Sequence, residues 1–211
     1  MNFIKPLKIA IKCLEHSKIP YEEWNFGGGS ALTFYYNHRI SIDVDIFLSN
    51  PQYITLLSPR LNDFVADYSK DYVEQSNFLK ISMGKQEIDF IVAPNLTGLQ
   101  PLETFIESLK VRIDHPQEII AKKFFYRPES IKARDIVDLV VVYMDKKDEL
   151  RNAIEKLLLS KIEIILNRLS FMKLHKDEFC ISIKELKIKE TLKELEFLKI
   201  AESFFNSIIT R

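Results

Sequence analysis

Glycine is scarce in this chain and concentrated in one place. Of 211 residues five are glycine, and three of these are consecutive, Gly27-Gly28-Gly29; ordinary usage would put roughly 15 in a chain of this length. Glycine tolerates backbone conformations closed to other residues and lets another group come close to the main chain, so the run marks a point where the fold needs that freedom. Ser30-Ala-Leu-Thr-Phe-Tyr-Tyr36 follows without a breaker, with Ala31, Leu32, Tyr35 and Tyr36 as a helical face, which predicts a helix starting at Ser30. The unpaired N–H groups of a first helical turn form an anion site. Ser30 either caps that helix or hydrogen-bonds a phosphate oxygen. Alone, a glycine-rich turn before a helix favours a plain tight turn.

Residues 40–48 add chemistry to it. Ile40, Ile42, Val44 and Ile46 alternate with Ser41, Asp43 and Asp45, the period of a strand with one packed face. Asp43 and Asp45 then share the other face, with Cα atoms roughly 6.6 Å apart. Two carboxylates that close repel unless a cation lies between them, and oxygen-only ligands favour Mg²⁺ or Mn²⁺ over zinc. The competing reading is a solvated strand face. A third carboxylate, Asp89, occupies the polar face of Gln86-Glu-Ile-Asp-Phe-Ile-Val92, and Glu87 shares that face as a rival. Three carboxylates on adjacent strands beside a phosphate-binding helix start are what metal-assisted phosphoryl or nucleotidyl transfer needs.

The rest of the chain sets the frame. Apolar residues make up 46% and 30 Lys plus Arg balance 30 Asp plus Glu, an ordinary globular composition with no global basic field for polyanions. Cys13 and Cys180 lack metal or redox spacing and read as structural thiols in a reducing compartment. With no signal-peptide pattern and no 18-residue apolar run, a cytoplasmic protein without membrane contact is expected. P-loop, Gly-x-Ser-x-Gly and His-Glu-x-x-His motifs are absent.

Periodicity predicts helices over 6–17 and from about 51 to 67, strands over 71–83 and 86–93, and an exit loop marked by Pro94, Gly98 and Pro101. Beyond Pro116 glycine vanishes, and helices are expected at about 117–125, 131–145, 148–170 and 184–209. From Arg151 onward 12 basic and 9 acidic residues read as a solvated helical surface. The chain thus divides into an α+β domain over 1–115, with a small mixed sheet, and a C-terminal helical bundle over 116–211.

Gly29-Ser30, twelve intervening residues and Asp43-Val44-Asp45 resemble the signature of the DNA polymerase β-like nucleotidyltransferase superfamily. Gly28-Gly29-Ser30-Ala31-Leu32 with His38-Arg39, Ser41 and Asp43-Val44-Asp45-Ile46 is similar, more narrowly, to the AbiEii/AbiGii toxin-type nucleotidyltransferases of abortive-infection and type IV toxin–antitoxin systems. Pro116-Gln-Glu118-Ile-Ile-Ala121-Lys-Lys123 and Arg134-Asp135-Ile-Val-Asp138-Leu139 resemble that family's second block.

The resemblance implies a metal-dependent enzyme that moves a nucleoside monophosphate from an NTP to an acceptor hydroxyl, on RNA such as tRNA or on a protein, with a cognate antitoxin as a partner. It implies that Asp43, Asp45 and Asp89 hold Mg²⁺ or Mn²⁺, that Asp89 helps deprotonate the acceptor, and that Gly28, Gly29 and Ser30 hold the triphosphate. It makes Lys123 the nucleotide-contacting lysine and places Arg134, Asp135 and Asp138 in the motif on the next helix, with the active site between the domains. Lys122 points about 100° away from Lys123 on a helix, and Arg127-Pro128-Glu129 interrupts the helix that usually joins the two motifs. Arg39 reaches a phosphate or pairs with an aspartate. The alternative is a binding module of the same fold that holds NTP or an antitoxin with little catalysis.

Overall fold

The computed structural model describes residues 1–189 and 192–209 and separates into two compact units. The first comprises Met1–Phe34, Ser41–Asn95 and Gln100–His115; the second gathers Tyr35–Ile40, Leu96–Leu99 and the chain from Pro116 onward.

In the first unit, helix α1 (Ile4–His16) buries Leu7, Ala10, Ile11 and Leu14 at helical spacing. Cys13 is buried with them, and burial pushes its thiol up to about 12, the signature of an inert structural cysteine. Strand β1 (Trp24–Gly27) runs directly into α2 (Gly28–Tyr36), two residues ahead of the expected start at Ser30. Strand β2 (Val44–Leu48) follows, then the short helices α3 (Gln52–Leu57) and α4 (Asp63–Ala66), where one longer helix was expected. The first stops at Leu57 with Ser58 as its C-cap, and Asn62 caps the second, its side chain accepting the Val65 N–H.

Strands β3 (Tyr72–Gln75), β4 (Phe78–Met83), β5 (Gln86–Val92), β6 (Leu102–Ile106) and β7 (Leu109–Ile113) complete a seven-stranded mixed sheet of order β3-β4-β5-β2-β1-β7-β6. Strand β2 lies antiparallel to β1 and parallel to β5, at the middle of the sheet. Phe26, Val44, Ile46, Ile88 and Phe90 are fully buried and form the central core.

In the sheet the structure departs from the sequence reading at three places. The strand expected from 40 begins at Val44: Ile40 is exposed, and Ser41 and Asp43 are bonded to Ser30 instead of to a ladder. The single strand expected over 71–83 is a hairpin turning at Ser76-Asn77. The β6–β7 hairpin was not anticipated, because its turn uses Glu107 at φ +55° where glycine or asparagine is the usual signal.

The second unit is helical: α5 (Pro116–Tyr126), α6 (Ala133–Leu158), α7 (Ile162–Leu174), α8 (Lys176–Glu185) and α9 (Glu194–Ile209). Pro128–Ser130 form a single 3₁₀ turn between α5 and α6. The helices expected at 131–145 and 148–170 are redistributed: α6 runs through a kink at Lys146 (φ −132°, ψ 49°), and the chain breaks at 159–161 before α7. Helix α9 starts at Glu194, ten residues later than expected, and the start expected at 184 belongs to the end of α8. Phe197, Leu198, Ala201, Phe204 and Phe205 bury one face of α9, and Phe205 meets Phe124 of α5 with ring centroids 5.2 Å apart. No helix among the described residues is long and apolar enough to cross a membrane.

Candidate active site

Val44, Ile46 and Leu48 are buried, so the pleat of β2 turns Asp45 to the other face. In β5 the same rule turns Asp89 away from buried Ile88 and Phe90. The two strands are parallel with Asp45 opposite Asp89, so both carboxylates rise from one face of strands about 4.8 Å apart. Asp43, two places earlier, stands beside Glu87, whose N–H donates to Asp43 Oδ1 at 3.0 Å. Between the rivals, Asp89 is the residue opposite Asp45.

Burial, reinforced by the charge of Asp45, pushes the Asp89 carboxyl up to about 6 against the opposing pull of Lys80. Asp89 Oδ1 is buried without a hydrogen-bond partner. On its other side β4 presents Lys80, whose Nζ lies 3.3 Å from Asp89 Oδ2 and 2.5 Å from Glu87 Oε2. One row of residues thus crosses the sheet as Lys80, Asp89, Asp45 and Gly27. Lys80 escaped the sequence reading, although its place between Leu79 and Ile81 marks it as the polar member of a strand.

The glycine run ends that row. A Cβ on Gly27 would stand 2.5 Å from the Phe47 ring, and one on Gly28 would fall inside the Asp45 carboxylate; Gly28 also has φ +66°. The bare backbone accommodates the protein's own aspartate. Ser30 is fully buried, and its hydroxyl bonds to the Asp43 carbonyl and to Ser41 Oγ at 3.0 Å, tying the start of α2 to the approach to β2. Gly29 is buried in the first turn of α2, and its carbonyl accepts the Thr33 hydroxyl at 3.0 Å.

Among the described residues no three histidine, cysteine or carboxylate side chains form a ready metal cage. Asp45 and Asp89 form a pair, and Mg²⁺ commonly takes one or two carboxylates and fills its remaining positions with water and substrate phosphates. The unpartnered, buried Oδ1 of Asp89 is the acceptor such an ion would satisfy, so the pair fits a hard divalent cation.

The remaining sequence candidates lie in the second unit, and most are bonded to one another. Asp138 is fully buried, with His38 Nε2 2.7 Å from Oδ1, the Arg39 fork on both oxygens at 2.7 and 2.9 Å, and Lys123 Nζ at 3.1 Å. Asp135 accepts from Lys123 at 2.9 Å, Arg127 at 2.7 Å and the Lys132 N–H at 3.0 Å. Burial pushes both carboxyls up, and their partners outweigh it: the charges of Arg39 and Lys123 and the hydrogen bond of His38 hold Asp138 well below the usual carboxylate range, and the charges of Lys123 and Arg127 lower Asp135.

Of the two adjacent lysines, Lys123 faces the aspartates, while Lys122 is buried with Nζ 3.4 Å from Glu118. Arg134, next to Asp135, is turned from this network and lines a separate cavity with α7 and α8. Arg127 and Glu118 were not singled out by sequence; Glu118 accepts from the N–H groups of Leu96 and Thr97, both at 2.9 Å, and from the Thr97 hydroxyl at 2.7 Å.

A central mixed sheet, a glycine turn into a helix and aspartates on neighbouring strands define a nucleotidyltransferase fold, and solved structures agree. A nucleotidyltransferase structure from Helicobacter pylori matches with a TM-score of 0.56 at 15% identity, covering 99% of this chain and 95% of that one. JHP933 from Helicobacter pylori gives 0.55 at 16%, covering 99% and 91%. MenT4, a nucleotidyltransferase toxin of Mycobacterium tuberculosis, gives 0.54 at 12%, covering 97% and 84%. No curated protein matches significantly. The model of the nucleotidyl transferase AbiEii toxins of type IV toxin–antitoxin systems matches residues 15–207, and the chain belongs to that family. It is a nucleotidyltransferase.

Proposed function

We propose that the protein transfers a nucleoside monophosphate from an NTP to an acceptor hydroxyl, on RNA such as tRNA or on a protein, with the sheet face bearing Asp45 and Asp89 as the reacting centre. The observation that carries this reading is the register that sets those two carboxylates opposite each other, with Gly28 closing against Asp45. The acceptor oxygen forms a bond to the α-phosphorus, the bond from that phosphorus to the β-phosphate bridge breaks, and pyrophosphate leaves. Asp89 takes the hydroxyl proton, and Asp45 and Asp89, joined by Asp43, would hold Mg²⁺ or Mn²⁺. The ion, when bound, supplies charge neutralisation for the triphosphate and activation of the attacking oxygen.

Gly28, Gly29 and Ser30 bring the first turn of α2 to the triphosphate. Lys123 and Arg39 supply positive charge to the nucleotide, and Asp135 and Asp138 set the positions of Lys123 and Arg39 through the ion pairs described above. Family membership supports a cognate antitoxin as a partner.

The test incubates the protein with each of the four α-labelled NTPs, Mg²⁺ or Mn²⁺, and cell extract treated with nuclease or protease. Label is expected in a macromolecular product sensitive to one of the two treatments, and lost with Asp45→Asn or Asp89→Asn. Undiminished labelling by both variants would overturn the assignment.

A further inference from the structure

The cavity in the helical unit that receives Arg134 has a volume of about 380 Å³ and lies among the first turn of α6, α7 and α8. Arg134 Nε is buried there without a hydrogen-bond partner, a costly state for a guanidinium that a ligand would relieve. Arg168, from α7, donates from Nε to the Ile131 carbonyl at 3.1 Å, which fixes its stem, and its guanidinium lies 5.1 Å over the Phe171 ring. Phe171 lines the cavity and is 48% exposed, although Arg168 and His175 both lie against its ring. His175 sits against the same ring with centroids 4.3 Å apart, and its Nδ1 is 3.8 Å from Glu178. Glu185 also lines the wall.

Two guanidinium groups beside a half-exposed aromatic ring are complementary to a phosphate attached to a planar base: the forks bind phosphate oxygens and the exposed part of the ring packs on the base. Glu178 and Glu185 supply acceptors for ribose hydroxyls or an exocyclic amine. An apolar ligand would leave the arginines unmatched, and a bare anion would leave Phe171 unused.

We propose that this cavity is a nucleoside-phosphate site, separate from the aspartates of the sheet. Its occupant is a free nucleotide or one residue of an RNA strand, which share that chemistry. The proposal does not depend on the transfer reaction, so it is tested without metal or NTP.

The full-length protein, with ¹³C-labelled methionine methyls and EDTA present, is titrated with AMP, adenosine, inorganic phosphate and a single-stranded hexa-adenylate. Met172 lines the cavity, whereas Met83 lies in β4 of the other unit. AMP is expected to shift the Met172 methyl and leave Met83 unchanged. Arg134→Met and Arg168→Met are each expected to weaken AMP roughly tenfold, a lost charge-assisted contact, with Arg168→Lys retaining part of the affinity. Phe171→Ala is expected to weaken AMP about fivefold or more, the loss of one stacked base, while leaving phosphate unaffected.

Tighter binding of the hexamer than of AMP assigns the site to a strand, and equal or weaker binding assigns it to a free nucleotide. The proposal falls if neither AMP nor the hexamer moves Met172. It also falls if folded arginine variants, judged by unchanged Met83 shifts, bind as the wild type does.

Discussion

The two units treat their clustered aspartates in opposite ways. In the helical unit, Asp135 and Asp138 are wrapped by Arg39, Lys123, Arg127 and His38, and their carboxyls are held low. In the sheet, Asp89 faces Asp45, shares Lys80 with Glu87, keeps one oxygen unpartnered and is pushed up to about 6. In the first arrangement each carboxylate is paired with cations of the chain itself. The second carries a repulsion that the fold tolerates, as expected where a protein spends stability on a reacting centre.

Substitutions separate these roles. The largest expected effect is on stability: Asp138→Asn removes the charge facing Arg39 and Lys123 in a buried site, and unfolding experiments should show a loss of about 3–5 kcal/mol. Asp45→Asn should leave the melting temperature nearly unchanged or raised while lowering labelled-nucleotide transfer by about 10²–10³-fold. A comparable fall in stability would mean that Asp45 is structural like Asp138. Gly28→Ala introduces a side chain at positive φ against the Asp45 carboxylate, and denaturant titration should register a loss of about 2–3 kcal/mol. If Gly28→Ala proves neutral, Asp45 has room to move and its placement is not enforced by the glycine.

The smallest effect has the opposite sign. The folded Asp89 carboxyl titrates above its ordinary value of 3.8, at about 6, so between those pH values the folded state keeps a proton that the unfolded chain releases. Stability therefore falls as pH rises through that window. Asp89→Asn should stabilise the protein above it, bounded at about 3 kcal/mol by the size of the shift, and the advantage should vanish below about pH 4. For Asp135 and Asp138 the folded values lie below the ordinary 3.8, so their contribution is full above that pH and is lost as pH falls through the folded values.

How much of this the sequence disclosed depends on whether a residue's partner is local. The helix start at the glycine run, the strand that carries Asp45 and the polar face that carries Asp89 all follow from alternation and turn chemistry over a few residues, although the strand begins only at Val44. That Asp89 and not Glu87 stands opposite Asp45 depends on strand register, which a single strand does not encode. The position of Lys80 depends on a second register, and the β6–β7 turn on Glu107 in a conformation that its residue type does not announce. Arg39 was read as binding either a phosphate or an aspartate; its partner, Asp138, lies 99 positions away. Likewise, Arg134 and Asp135 belong to one motif but face different surroundings, because adjacent helical residues diverge by about 100°.

The measurement that bears most directly on the contrast between the two clusters is a pair of melting curves in EDTA at pH 7.5, for Asp89→Asn and Asp138→Asn against the wild type. The account predicts opposite signs, with the Asp89 variant melting higher and the Asp138 variant melting lower. Two variants that both melt lower by similar amounts would contradict it, because the sheet aspartate would then be as structural as the helical one.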